Sequence, residues 1–234
     1  MNDKKENEML LNLLGVKTSA DIDIGNINNN EWVDLIQRAK EQRSASLLYY
    51  RLANSNSINY VPKDILLTLH KIHLGTLAIN MRLQKEFSHL VNLLQNEEVS
   101  VIVLKGLALA ETVYNSAALR PMGDIDLLVK GNELNKANQI MLESGWKNLS
   151  YLNRMELDKQ HYRHVNFTRG NISIDIHPKI YELPLLDPWI KATKAKIAKT
   201  DTFILGTEDF LMHLCLHLED HYRTGSSTNL IWYL

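Results

Sequence analysis

Asp124 and Asp126 flank a single isoleucine within the stretch Leu119-Arg120-Pro121-Met122-Gly123-Asp124-Ile125-Asp126-Leu127-Leu128-Val129-Lys130-Gly131. Residues i and i+2 of a strand project from one face, so both acids point together from an otherwise apolar run. A third acid, Asp175, sits in Ile172-Ser173-Ile174-Asp175-Ile176-His177, which alternates with a period of two. Three carboxylates on neighbouring strands repel one another and lose hydration unless a cation is present. Oxygen-only ligands in partial burial suit Mg²⁺ or Mn²⁺, with substrate phosphates completing the octahedron. Such a site performs metal-assisted phosphoryl or nucleotidyl transfer.

Those acids need a scaffold, and the pattern around them supplies one. Val99 to Leu104 is a short β-branched run stopped by Lys105-Gly106, and Leu107 to Tyr114 reads as a short helix. Asp124 to Val129 is the second strand, and Glu133 to Ser144 a helix closed by Gly145. His164 to Thr168 then pairs through an Arg169-Gly170-Asn171 turn with the strand carrying Asp175. The first third is helical, with Trp32, Leu35, Ile36 and Ala39 at three- and four-residue steps. A break at residues 54–59 and Pro62 precedes a long segment from Lys63 to Gln95. Pro184 and Pro188 mark a loop, and the chain turns helical again from Thr207, with Phe210, Leu211, Leu214 and Leu218 as its apolar positions. This divides the chain into a helical region (1–95), a core carrying the acids (96–182), and a loop and helical region (183–234). The apolar close at Ile231-Trp232-Tyr233-Leu234 is read as an end inside a domain.

Composition narrows the class. The 234 residues are 45% hydrophobic and 23% charged, the balance of a packed globular protein. With 26 Lys+Arg against 27 Asp+Glu, the net charge of -1 provides no global field for nucleic acid or an anionic membrane. No basic stripe with interleaved aromatics suggests a template or single-strand groove. The single cysteine, Cys215, excludes an internal disulfide framework and fits a reducing compartment. The charged N-terminus lacks the apolar core of a signal peptide, and no run approaches the roughly 18 to 20 apolar residues of a membrane span. A cytoplasmic protein without nucleic-acid or membrane partners is expected.

The order strand, Lys105-Gly106, short helix, Arg120-Pro121-Met122-Gly123-Asp124-Ile125-Asp126-Leu127-Leu128-Val129, then Asp175-Ile176-His177, resembles the uncharacterised nucleotidyltransferases of the polymerase-β-like superfamily. The likeness runs from the Trp32 helix through His221 and includes Gly145-Trp146 and the His-Leu-Cys-Leu-His run near the end. It implies an α+β fold, with a small mixed β-sheet core flanked by an N-terminal helical block and C-terminal helices. Asp124, Asp126 and Asp175 match the superfamily's catalytic, metal-binding carboxylates, and Gly106 matches the glycine of its Gly-Ser turn. Leu107 stands where the serine would be, and the gap from Gly106 to Asp124 is longer than usual. Lys105 and Arg120 are therefore candidates to hold the triphosphate by charge. The resemblance implies Mg²⁺ or Mn²⁺ as cofactor and a nucleoside triphosphate as substrate. Its monophosphate would pass to a hydroxyl on a small molecule or protein, with release of pyrophosphate.

The histidines allow several readings. His177, two residues beyond Asp175, shares its face and is a candidate substrate contact. His213, His217 and His221 line one helical stripe, of which His217 is the candidate for substrate contact, while core packing is the alternative. His161 and His164 read as partners of loop backbone. Cys215 reads as a small core residue, and Tyr114 and Trp146 as packing, with base stacking as an alternative for an aromatic near the Lys-Gly turn. A catalytically degenerate nucleotide-binding or regulatory module on the same fold is the second functional reading, and a helical interaction protein the third.

Overall fold

The computed structural model describes residues 3–15, 24–114, 116–149, 164–180, 187–225 and 229–232. His161, Pro184, Tyr233 and Leu234, singled out above, lie outside them. The chain forms two compact units. No helix among the described residues is long and apolar enough to cross a membrane.

The first unit comprises Met1–Asn80, Tyr114–Pro121 and Ser227–Leu234. It contains helices α1 (Asp3–Leu13), α2 (Asn29–Glu41) and α3 (Ala45–Ala53), and the first half of α4 (Lys63–Asn96). A capping box starts α2: the Glu31 N–H donates to the Asn28 side chain at 3.0 Å, and the Asn28 N–H donates back to Glu31 at 3.1 Å. The three- and four-residue steps then turn Trp32, Leu35, Ile36 and Ala39 inward, to pack with Leu10, Leu48, Leu52 and Leu69. Asn80 ties in the short excursion at 114–121, donating to the Arg120 carbonyl at 2.8 Å.

The second unit comprises Met81–Val113 and Met122–Ser226. Its sheet contains β1 (Ile102–Val103), β2 (Ile125–Leu128), β3 (Lys147–Asn148), β4 (Val165–Arg169), β5 (Ile172–His177), β6 (Thr193–Ile197) and β7 (Thr200–Ile204), with α5 (Lys105–Thr112), α6 (Leu134–Glu143) and α7 (Thr207–Arg223) beside it. The strand order is β3-β4-β5-β2-β1-β7-β6. β2 is parallel to β5 and β1 to β7, while the other neighbours are antiparallel, so the sheet is mixed as expected.

Alternation sorts the strands into two faces. Val101, Val103, Ile125, Leu127, Phe167, Ile172, Ile174 and Ile176 fall in the main core with Phe87, Leu90 and Leu94 of α4 and Ile140 and Met141 of α6. The intervening residues of β2, β4 and β5 include Asp126, Asn166, Asp175 and His177. Gly145, at φ +83°, ends α6 in the left-handed conformation that glycine adopts without a Cβ penalty.

Four sequence readings need correction. The run at 99–104 contributes only Ile102 and Val103 as strand. The region before Thr207, read as loop, holds the β6–β7 hairpin. Its turn residues, Ala198 and Lys199, sit at positive φ without the usual Asn-Gly signature, and its outer strand carries Lys194 and Lys196 as edge strands often do. In α7 the buried positions are Asp209 and His213, with Phe210 and Leu216 partly buried, while Leu211 and Cys215 are exposed. Of the apolar positions read there, Phe210, Leu214 and Leu218 are half-buried and only Leu211 is exposed, while Cys215 is not a core residue.

Candidate active site

The parallel β2–β5 register places Asp126 opposite Asp175, between the pairs Ile125–Ile174 and Leu127–Ile176. These two apolar pairs anchor both strands in the core, and pleating then sends the acids out of the opposite face. Asp126 is almost fully enclosed, with 6% of its side chain exposed against 14% for Asp175.

An enclosed carboxylate needs compensation. Asp126 receives the Lys105 ammonium at 2.6 Å and the His177 Nε2 at 3.0 Å. Lys105 begins α5 directly after β1, with φ +43°, in the left-handed region that costs a side-chain-bearing residue roughly 1–2 kcal/mol. The strain in the Lys-Gly turn thus falls on the lysine and not on Gly106, and it accompanies delivery of the ammonium to Asp126. Burial alone would raise the Asp126 carboxyl, but Lys105 and His177 outweigh it and hold Asp126 well below the usual carboxylate range. Burial also works against the charged Lys105, yet Asp126 first, with Asp124 and Asp175 behind it, raises it above its ordinary value.

Around Asp175 the partners come from β4. Asn166 lies opposite Asp175 in the antiparallel register and donates its side-chain N–H to Oδ1 at 2.5 Å. His164, just before β4, brings Nε2 to 3.5 Å from Oδ2, and its ring centre lies 5.1 Å from that of His177. Burial holds His164 below the ordinary imidazole value, helped by His177 and Lys105 and opposed by Asp175 and Asp126. His164, Asp175 and His177 each offer a donor atom within 4.8 Å of the other two.

The expected residues are therefore placed unequally. Asp126, Asp175, Lys105 and His177 cluster on one face of the sheet, with Gly106 next to Lys105 in the first turn of α5. Asp124 precedes β2, is exposed, and acts electrostatically on Lys105. Among the described residues, the three aspartates do not gather as tightly as the His164, Asp175 and His177 group. Arg120 belongs to the helical unit, where it is 8% exposed and hydrogen-bonds Tyr114. His217 lies in the α7 stripe, its ring 6.1 Å from His213 and 4.5 Å from His221. Trp146 is buried against the Arg169 guanidinium at 4.6 Å, as packing requires. His164, read from the sequence as a partner of loop backbone, instead faces Asp175 and His177. Its signal was the hairpin: counting back from the Gly170 turn carries it towards His177.

The mixed-sheet α+β core carries the paired acids inside two neighbouring strands, and a family comparison places the chain. Residues 28–234 match the family model described as uncharacterised nucleotidyltransferase, so the chain belongs to that family, whose name implies nucleotidyl transfer in general. No curated protein and no solved structure matches the chain.

Proposed function

We propose that the protein is a metal-dependent nucleotidyltransferase that moves a nucleoside monophosphate from a triphosphate to a hydroxyl on a small molecule or protein, releasing pyrophosphate. The observation that carries this reading is the Asp126–Asp175 pair, held in register on one polar face with Lys105 and His177. The donor chemistry suits a hard divalent cation: Asp124, Asp126 and Asp175 offer oxygen ligands, and Asn166 steadies Asp175 from behind. When bound there, Mg²⁺ or Mn²⁺ supplies neutralisation of phosphate charge and acidification of the acceptor hydroxyl.

The chain's own groups account for the remaining steps. The Lys105 ammonium and the backbone N–H groups opening α5 at Gly106 attract and orient the triphosphate. Asp175, the more accessible of the paired acids, receives the acceptor proton as the acceptor oxygen bonds to the α-phosphorus. The bond to the bridging oxygen breaks, and pyrophosphate leaves with the electron pair. His177 lies beside the reacting groups, with its Nε2 on Asp126. The near-neutral surface favours a small or protein acceptor over a nucleic acid, and the single cysteine suits the cytoplasm.

One observation favours a degenerate binding module instead: the Lys105 ammonium holds Asp126 at 2.6 Å and competes with a cation for it. Incubation of the protein with each nucleoside triphosphate, Mg²⁺ or Mn²⁺, and small-molecule and protein fractions of a cell lysate as the source of acceptor hydroxyls separates the two. Pyrophosphate release supports transfer, whereas saturable nucleotide binding without pyrophosphate supports the module.

A further inference from the structure

We infer that His164, Asp175 and His177 form a binding site for a first-row transition-metal dication, which holds Zn²⁺ or Co²⁺ in preference to Mg²⁺. The inference deepens the proposed function by naming a further cofactor class, and it shares only Asp175 with the proposed oxygen-ligand set.

Three features carry it. The first is ligand type. Two imidazoles with one carboxylate form a nitrogen-rich set that suits zinc and its neighbours, whereas magnesium favours oxygen ligands and keeps several waters. The second is proximity, since the three donor atoms already lie within 4.8 Å of one another. With metal–nitrogen bonds of about 2.0–2.1 Å, ligand atoms in a tetrahedral site lie roughly 3.3 Å apart, so side-chain rotations of about an ångström complete it.

The third feature is outer support. Asn166 binds Oδ1 of Asp175 at 2.5 Å and leaves Oδ2 towards His164, at 3.5 Å. Asp126 meets His177 at 3.0 Å, the carboxylate-to-histidine arrangement that orients metal-bound imidazoles. Backbone geometry fixes the placement as well. Asp175 and His177 share a face of β5, and the register that sets Val165 opposite Ile176 brings His164 to the same end of the sheet. With three protein ligands the ion keeps an open position, as catalytic sites do and closed structural sites do not.

The test is a titration of the chelator-treated full chain with Co²⁺, read by visible absorption without nucleotide. One equivalent should bind with the intense bands of a four- or five-coordinate centre, Zn²⁺ should displace it stoichiometrically, and millimolar Mg²⁺ should not. His164→Ala and His177→Ala should each weaken binding by about 10- to 100-fold or more, the range seen when outer-shell partners alone are lost. Wild-type affinity in both variants, or displacement by Mg²⁺, overturns the site. Modification of the wild-type protein with diethyl pyrocarbonate covers the case of poorly folding variants. Zn²⁺ should protect His164, read by peptide mass, and unchanged labelling also overturns the inference. Pyrophosphate release is measured separately, so failure of nucleotidyl transfer and failure of this metal site give different results.

Discussion

Asp126 and Asp175 lie directly opposite each other on parallel strands, and each is flanked by isoleucines or leucines that point the other way. Function and stability should therefore separate between adjacent residues. Asp175→Asn should lower pyrophosphate release at least about 100-fold, as loss of one electrostatic catalytic group does, while the urea midpoint stays near wild type. Ile174→Ala, one residue away and fully buried, should cost about 2–5 kcal/mol of stability. Equal activity losses in the two variants, after correction for folded fraction, would argue against the division of faces.

Lys105 combines an enclosed charge with a strained backbone. Lys105→Met leaves Asp126 without its 2.6 Å partner and should destabilise the metal-free protein by about 3 kcal/mol at neutral pH. Lys105→Gly removes the same charge but relieves the left-handed strain, so it should be about 1 kcal/mol less destabilised. Chemical denaturation in chelator measures both. A glycine variant less stable than the methionine variant would show that the turn is not strained.

The depressed Asp126 carboxyl has a defined consequence in acid. Its folded-state value lies below the unfolded carboxylate value of about 3.9. The stability it confers is thus complete above that value and is lost as the pH falls through the folded value. Asp126→Asn should flatten the loss of stability below about pH 4, measured by urea midpoints in chelator. Parallel curves for variant and wild type would contradict the ion-paired state of Asp126.

The β6–β7 turn offers a stabilising change. Lys199 sits at φ +65° after Ala198 at φ +46°, conformations that favour Asn-Gly in a two-residue hairpin. Lys199→Gly should raise stability by about 0.5–1 kcal/mol, roughly 1–4 °C in melting temperature for a chain of this size. A lower melting temperature would mean that the lysine side chain contributes more than its backbone strain costs.

Which elements could be read from the sequence follows from how their residues make contact. β5 alternates buried with half-buried residues, and β2 is an apolar run interrupted by one acid, so both stand out and, with them, Asp126, Asp175 and His177. Helix α2 carries its own cap and apolar stripe, and Gly145 marks the end of α6. β1 contains two paired residues inside a longer apolar run, so nothing local fixes its limits. β7 gains its second partner from β1, far away in sequence, and the β6–β7 turn lacks glycine. The packed face of α7 includes Asp209 and His213, which a search for leucines passes over. His164 belongs to no motif, and only the hairpin register reveals it. The pairing of Lys105 with Asp126 depends on a positive φ at a non-glycine residue, which no propensity predicts.

The role proposed for the polar face around Asp126 and Asp175 is nucleotidyl transfer with a divalent cation. The most direct measurement is pyrophosphate formation from a panel of nucleoside triphosphates, with Mg²⁺ or Mn²⁺, by wild type and by Asp124→Asn and Asp126→Asn variants shown to be folded by circular dichroism. The account predicts cation-dependent pyrophosphate from at least one triphosphate, suppressed at least about 100-fold in each variant. Pyrophosphate formed equally well by the variants, or unaffected by removal of the cation, would contradict it.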